Sequence, residues 1–299
     1  MVQGISKYLS LSIWFGLVFL SLNSPAQAAQ SAENSTGNTL EILFFANANA
    51  LLENCHCGTP SLGGLARLST IVTRKRHKNP KLMLIDGGDF FNPYDYAKLN
   101  LAVLQIYRIL QPTILSLGEQ EFVQGTAFLR QNLSDWRAPV TSNFVLKGWK
   151  SARQRVIRVQ GNRVTFLTYL DKSSFDVIPF DDKHLFIDST GFKRMYNKGV
   201  RQGYLIVIFH GSDASLRRFI KKHSEVDLIL AGHTQQEKYN LTAKPAVVYG
   251  GVDTRFIYDI TIDFGASRNP LRCQAVPVGE ELPQDKRILP IIKKFKADP

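Results

Sequence analysis

The sequence predicts an α/β fold with two sheets covered by helices. Short, almost wholly apolar runs such as Leu40–Phe45, Tyr204–Phe209 and Asp227–Leu230 read as strands buried on both faces. Helical spacing separates several of these runs, as in Leu65, Leu68, Ile71 and Val72. A hairpin signal at Gln160-Gly161-Asn162 divides an earlier set of β-α units from a later one, and strands follow the later set.

Taken in order, Leu40–Phe45 is the first strand, and Gly63-Gly64 opens a helix to about His77. Lys81–Ile85 forms a second buried strand, Tyr96–Leu110 a helix, Thr113–Leu117 a strand and Phe122–Leu133 a helix. Arg153–Val159 and Arg163–Tyr169 are the hairpin arms. Tyr204–Phe209 and Asp227–Leu230 are strands joined by a helix from about Ala214 to Lys222. Ala246–Tyr249 and Phe256–Phe264 are strands, the last strongly alternating. Lys286–Lys296 has helical composition that Pro290 would interrupt. Residues 40–282 therefore read as one domain of catalytic type and 283–299 as a basic C-terminal tail, with no internal repeat and no linker.

The first 28 residues have the layout of a secretory signal. Lys7 precedes an apolar run, Leu9–Leu22, and Pro25-Ala26-Gln27-Ala28 ends in a small-x-small pattern that places cleavage after Ala28. That run is short for a bilayer span of about 20 residues. No cysteine lies near the cleavage site, so no lipid anchor is expected and no transmembrane domain remains after removal. The expectation is an exported protein, periplasmic or extracellular, with a disordered Ser/Asn-rich spacer at 29–39. Loss of Lys7 would lower the formal charge from +12 to +11. The basic residues are scattered, with modest clusters at Arg74-Lys75-Arg76, Arg217-Arg218 and Lys293-Lys294. No nucleic-acid motif accompanies them, so they read as a solvated surface with no specific nucleic-acid partner.

Chemistry concentrates where strands end. Asp89 follows Leu84-Ile85-Asp86-Gly87-Gly88, where glycines let the chain turn sharply. His210 follows Leu205–Phe209, and His233 follows Leu228-Ile229-Leu230-Ala231-Gly232. Open α/β sheets place their ligands at such carboxyl ends. Either histidine alone reads as a residue hydrogen-bonded in a turn. Together with Asp89 they point to a metal, because imidazole and carboxylate are common ligands.

At this point the chain resembles the calcineurin-like metallophosphoesterases, in their 5′-nucleotidase branch. The resemblance spans Leu40 to Phe264 and rests on Gly63-Gly64-Leu65-Ala66-Arg67-Leu68, Leu84–Phe91, Gly118-x-x-Glu121-Phe122, Ser142-Asn143 and Asp227–Thr234. It implies a four-layer α/β/β/α sandwich of the metallophosphoesterase type with two metals at the strand ends. The first metal's positions fall on Asn47, Asn49, Asp89 and Gln235, three of them amides. The second metal's positions fall on Asp89, Glu119, His210 and His233, all able to ligate. The catalytic histidine falls on Gln120 and its supporting aspartate on Val123, and an amide cannot deliver a proton as imidazolium can. The resemblance thus implies one divalent metal (Zn, Mn or Fe) and a phosphorylated small molecule as ligand, with no secure catalytic residue. The family's separate C-terminal substrate domain is not expected, so nucleotide specificity is not expected either.

Cys55-His56-Cys57 follows the first strand, beside the amide positions in the geometry that the resemblance implies. Such ligands favour Zn, Cu or Fe and would suit a replacement metal or a redox site. A disulfide between Cys273 and Cys55 or Cys57 is an equal alternative in an exported protein. Three functions follow: a one-metal hydrolase of phosphate esters, an inactive pseudoenzyme that binds a ligand or partner in the same cleft, and a metal or redox protein working through the cysteine loop.

Overall fold

Strand β1 (Thr39–Phe45) shows how the sequence builds the molecule: alternate side chains enter two different cores. Leu40, Ile42 and Phe44 face one, while Leu43 and Phe45 face the other. A computed structural model describes residues 37–54, 60–176, 178, 180–181, 183–266 and 270–297.

The chain continues through α1 (Leu65–Lys78), β2 (Met83–Asp86), α2 (Ala97–Leu110), β3 (Ile114–Leu115), α3 (Gly125–Leu133), β4 (Phe144–Leu146), β5 (Arg155–Val159) and β6 (Asn162–Leu170). It goes on through β7 (Leu185–Ile187), α4 (Ser189–Gln202), β8 (Tyr204–His210), α5 (Asp213–Lys222) and β9 (Leu228–Gly232). Then come β10 (Tyr239–Asn240), β11 (Ala246–Tyr249), β12 (Phe256–Asp263), β13 (Leu271–Pro277) and α6 (Leu289–Ala297).

One sheet has the order β13-β12-β1-β2-β3 and the other β10-β11-β9-β8-β6-β5. Strands β1 to β3 run parallel, as do β6, β8, β9 and β11, so their carboxyl ends share one edge. The two sheets face each other over a core of Ile42, Phe44, Phe166, Ile206, Ile208, Leu230 and Ile260. Helices α1, α2, α3 and α6 cover the first sheet, and α4 and α5 the second. The result is the α/β/β/α sandwich. Each fully buried Ile or Phe contributes about 1.5–3 kcal/mol, which makes these three cores the source of its stability.

Several expectations change. The strand expected over Thr113–Leu117 is reduced to Ile114–Leu115, because its partner β2 is itself only four residues long. The expected helix Phe122–Leu133 starts only at Gly125, after a separate turn at Gln120–Phe122 that carries site residues. Helix α4, strand β13 and the β4-β7 ribbon were not expected. The segment taken as a basic tail is part of the fold. Ile288 and Ile292 are buried against α2, Asp285 N–H donates to Ala66 O at 2.9 Å, and Ser69 Oγ donates to Asp285 Oδ2 at 2.7 Å. Pro290 sits in the first turn of α6, where its missing N–H has no helical partner to lose. The hairpin turn is as expected: Gln160 (φ 49°) and Gly161 (φ 85°) both take positive φ, the pairing a two-residue turn needs. No helix among the described residues is long and apolar enough to cross a membrane.

Candidate metal centre

Four strand ends deliver Asp89, Glu119, His210 and His233 to one point. Asp89 follows β2, Glu119 follows β3, His210 ends β8, and His233 follows β9. One ligand atom from each lies within 4.8 Å of the other three. His210 Nε2 is 3.0 Å from Glu119 Oε2 and 3.3 Å from Asp89 Oδ1. His233 Nδ1 is 3.0 Å from Glu119 Oε1 and 4.0 Å from Asp89 Oδ2. The first three residues are buried, and His233 is partly open to solvent.

Backbone geometry enforces this convergence. Asp89 (φ 59°) and His233 (φ 70°) both take left-handed conformations, which cost a non-glycine residue about 1–3 kcal/mol. Gly118 leaves the space that Asp89 and His210 need: a Cβ there would stand 2.2 Å from Asp89 Oδ1 and 2.5 Å from the His210 ring. His210 Nδ1–H donates to Gly87 O at 2.8 Å, which sets the ring so that Nε2 faces the carboxylates.

The electrostatics of the cluster suit a cation. Burial alone would raise the Glu119 carboxyl, but hydrogen bonds from His210 and His233 outweigh it and hold it well below the usual carboxylate range. Burial opposes charge on His210, yet Asp89 and Glu119 push its pKa well above the ordinary imidazole value. Two further buried acids lie behind. Burial pushes Asp86 up to about 7, against hydrogen bonds from Tyr107 Oη and Gly88 N–H. Burial and the Asp89 charge push Glu121 up to about 8, against its backbone hydrogen bonds. Acids crowded in a dry site require positive charge, and two carboxylates with two imidazoles form a donor set that fits a divalent ion.

The amide positions behave differently. Asn47 Nδ2 donates to Gly251 O at 2.6 Å, and its Oδ1 accepts from His233 N at 2.8 Å. Asn49 Nδ2 donates to Asp253 Oδ1 at 2.9 Å, and its Oδ1 accepts from Gln120 Nε2 at 3.2 Å. Asn49 thus links Gln120 to Asp253, while Asn47 bonds to backbone groups. Gln120 Oε1 is buried without a hydrogen-bond partner, Gln235 is exposed, and Val123 packs into the first core. Asn143 makes a two-bond bridge to the backbone of Leu170 at 2.8 and 2.9 Å, a structural use of that side chain. Cys55, His56 and Cys57 lie outside the described residues. Cys273 is a free thiol in β13, and burial pushes it up to about 12, which leaves it unreactive near neutral pH.

Sequence reasoning missed Asp253, which no motif marks, and the roles of Asp86 and Glu121. The signal for both acids was present. They are carboxylates inside apolar strand-end segments, where an acid needs a partner.

Comparison with known proteins agrees with the fold. Protein 5NUC of Lutzomyia longipalpis is 22% identical, over 84% of this chain and 50% of its own length. The chain thus spans about half the length of that curated relative. Among solved structures, the 5′-nucleotidase precursor of Thermus thermophilus superposes with a TM-score of 0.72 at 18% identity, covering 87% of this chain and 58% of that one. The NAD nucleotidase NadN of Haemophilus influenzae gives 0.70 at 13% identity, covering 87% and 67%. At such identities these structures speak for the fold. Residues 55–237, more than half of the chain, match the calcineurin-like phosphoesterase family, which is metal-dependent. This protein is a member of the calcineurin-like phosphoesterase family.

Proposed function

We propose that this chain is an exported phosphoesterase that holds a single divalent ion on Asp89, Glu119, His210 and His233 and hydrolyses esters of phosphate. The observation that carries this reading is the meeting of four ligand atoms, from four separate strand ends, within 4.8 Å. A divalent ion there supplies Lewis-acid activation of a phosphoryl oxygen and of the attacking water. The protein's own groups set the rest. His210 is oriented through Gly87 O, and His233, the one partly exposed donor, marks the side from which substrate enters. Gln120 holds a hydrogen bond to Asn49 and moves no proton, so aryl phosphates, whose leaving groups need none, are the preferred substrates over alkyl phosphates. Export is supported by Lys7, the apolar run Leu9–Leu22 and the Ala26-x-Ala28 pattern.

A second reading, a catalytically silent protein that binds a ligand in the same cleft, is favoured by one observation. Asn49 links Gln120 to Asp253, so neutral amides occupy the space beside the cluster. The metal or redox reading of Cys55, His56 and Cys57 rests on residue type alone. Elemental analysis of the purified protein, with turnover of aryl and alkyl phosphates, tests all three. One metal per chain with turnover lost in His210→Ala supports the hydrolase. One metal without turnover supports the silent protein. A second metal that disappears in Cys55→Ser with Cys57→Ser supports the cysteine loop, and no bound metal refutes the proposal.

A further inference from the structure

We propose that Glu121 is a positioning residue that holds Asp89 and Glu119 in register for the metal by clamping the loop after β2 to the loop after β3. The inference rests on the metal-centre reading above. The Glu121 carboxylate is fully buried and accepts four backbone hydrogen bonds from two separate loops. Oε2 accepts from Asp89 N at 2.9 Å and Gly118 N at 2.7 Å, and Oε1 from Phe90 N at 2.8 Å and Phe91 N at 3.0 Å.

The loops around the site are joined in two different ways. The loop after β1 is fastened to the loop after β2 by backbone bonds: Asn47 N to Gly88 O at 2.9 Å, Asn49 N to Asp89 O at 2.9 Å and Ala50 N to Phe90 O at 3.1 Å. Between the loops after β2 and β3, the last backbone–backbone bond among the described residues runs from Ser116 N to Asp86 O at 2.9 Å. Beyond it the strands have ended, and the Glu121 carboxylate takes over as the common acceptor. It holds the N–H of Asp89 itself, a residue at φ 59°, and the N–H of Gly118, the residue before Glu119. Apart from Gln120 N, which donates to Asp89 Oδ1 at 3.3 Å, this one side chain sets the separation of the two metal donors. A carboxylate has lone pairs for four donors, whereas a carboxamide offers one acceptor oxygen and turns an N–H₂ toward N–H groups.

The test is E121Q, titrated calorimetrically with Zn²⁺ and Mn²⁺ beside the wild type. The expected result is metal affinity ten- to a hundredfold weaker, the range for groups that orient ligands. Far-UV circular dichroism and cooperative melting of the metal-free variant should stay close to wild type, since the three cores are untouched. Peptides spanning 87–92 and 117–121 should exchange backbone hydrogen faster in metal-free E121Q, with the rest of the fold unchanged. Affinity within twofold of wild type overturns the proposal. If E121Q does not fold, E121D keeps the charge with a shorter reach and should show a smaller loss of affinity, and no loss overturns the proposal. Wild type that takes up neither ion refutes the metal reading itself. Unaltered exchange of the two peptides would then overturn the clamp as well.

Discussion

The two halves of the strand-end edge share a backbone and differ in side-chain chemistry. On the donor half, Asp89 and His233 take left-handed conformations at the ends of β2 and β9. On the amide half, Asn47 (φ 52°), Asn49 (φ 48°) and Asp253 (φ 54°) do the same after β1 and β11. Both sets of loops are pinned by the same kind of bond, Asn49 N to Asp89 O at 2.9 Å and Asp253 N to Asn47 O at 2.8 Å. On the amide half, Asn47 Nδ2 donates to Gly251 O and Asn49 Nδ2 to Asp253 Oδ1, while their oxygens accept from His233 N and Gln120 Nε2. On the donor half, carboxylates and imidazoles face each other, and only charge neutralisation satisfies them. The two halves share their left-handed loop geometry, and side-chain identity is what separates them.

The sharpest way to break this comparison is to remove the donor half. His210→Ala and Gly118→Ala should each abolish measurable divalent-ion binding in calorimetry, a loss of more than about a hundredfold. The first deletes a donor, and the second drives a methyl group into Asp89 and His210. Retained binding in Gly118→Ala would mean that the donors need not converge as closely as the structure shows.

A smaller effect concerns the acid behind the donors. Asp86 has a folded pKa raised to about 7 from 3.8, so its protonated form is the favoured one in the fold. Its contribution is fully present below about pH 4 and is lost as pH rises through about 7. The metal-free protein should therefore melt at lower temperature at pH 8 than at pH 5. Asp86→Asn should flatten that fall by up to about 3 kcal/mol, since its amide can accept from Gly88 N–H and donate to Tyr107. Equal slopes in variant and wild type would show that Asp86 does not titrate in this range.

The smallest effect restores charge to the amide half. Asn47→Asp replaces the donor to Gly251 O with a carboxylate oxygen and should destabilise the metal-free protein by about 1–3 kcal/mol. Combined with Asn49→His, Gln120→His and Gln235→His, it should raise metal content from one to two per chain. Both are read by melting temperature with and without Mn²⁺, and by elemental analysis. A quadruple variant that still binds one ion would show that the loop around Asp253 keeps a second ion out.

Much of the fold was legible because buried parallel strands are short apolar runs, and this chain has them at Leu40–Phe45, Tyr204–His210 and Leu228–Gly232. Helix α4 escaped because Ser189–Gln202 carries two glycines and buries only Phe192 and Tyr196 among its large side chains, Phe192 against Phe219 and Tyr196 against His223. Strand β13 escaped because Leu271–Pro277 lies at a sheet edge, where neither face is fully buried. The C-terminal helix is hidden in the sequence by Pro290, a breaker in a helix interior that is harmless in the first turn.

By itself, the sequence determined the main buried strands, the family, and the residue types at their ends, because local periodicity and motif spacing are properties of the chain. Only the tertiary structure decided that Asp89, Glu119, His210 and His233 meet while Asn49 links Gln120 to Asp253 and Asn47 bonds to the backbone of Gly251 and His233. These groups lie up to 204 positions apart in the chain, and hydrogen bonds and charge act over a few ångströms of space.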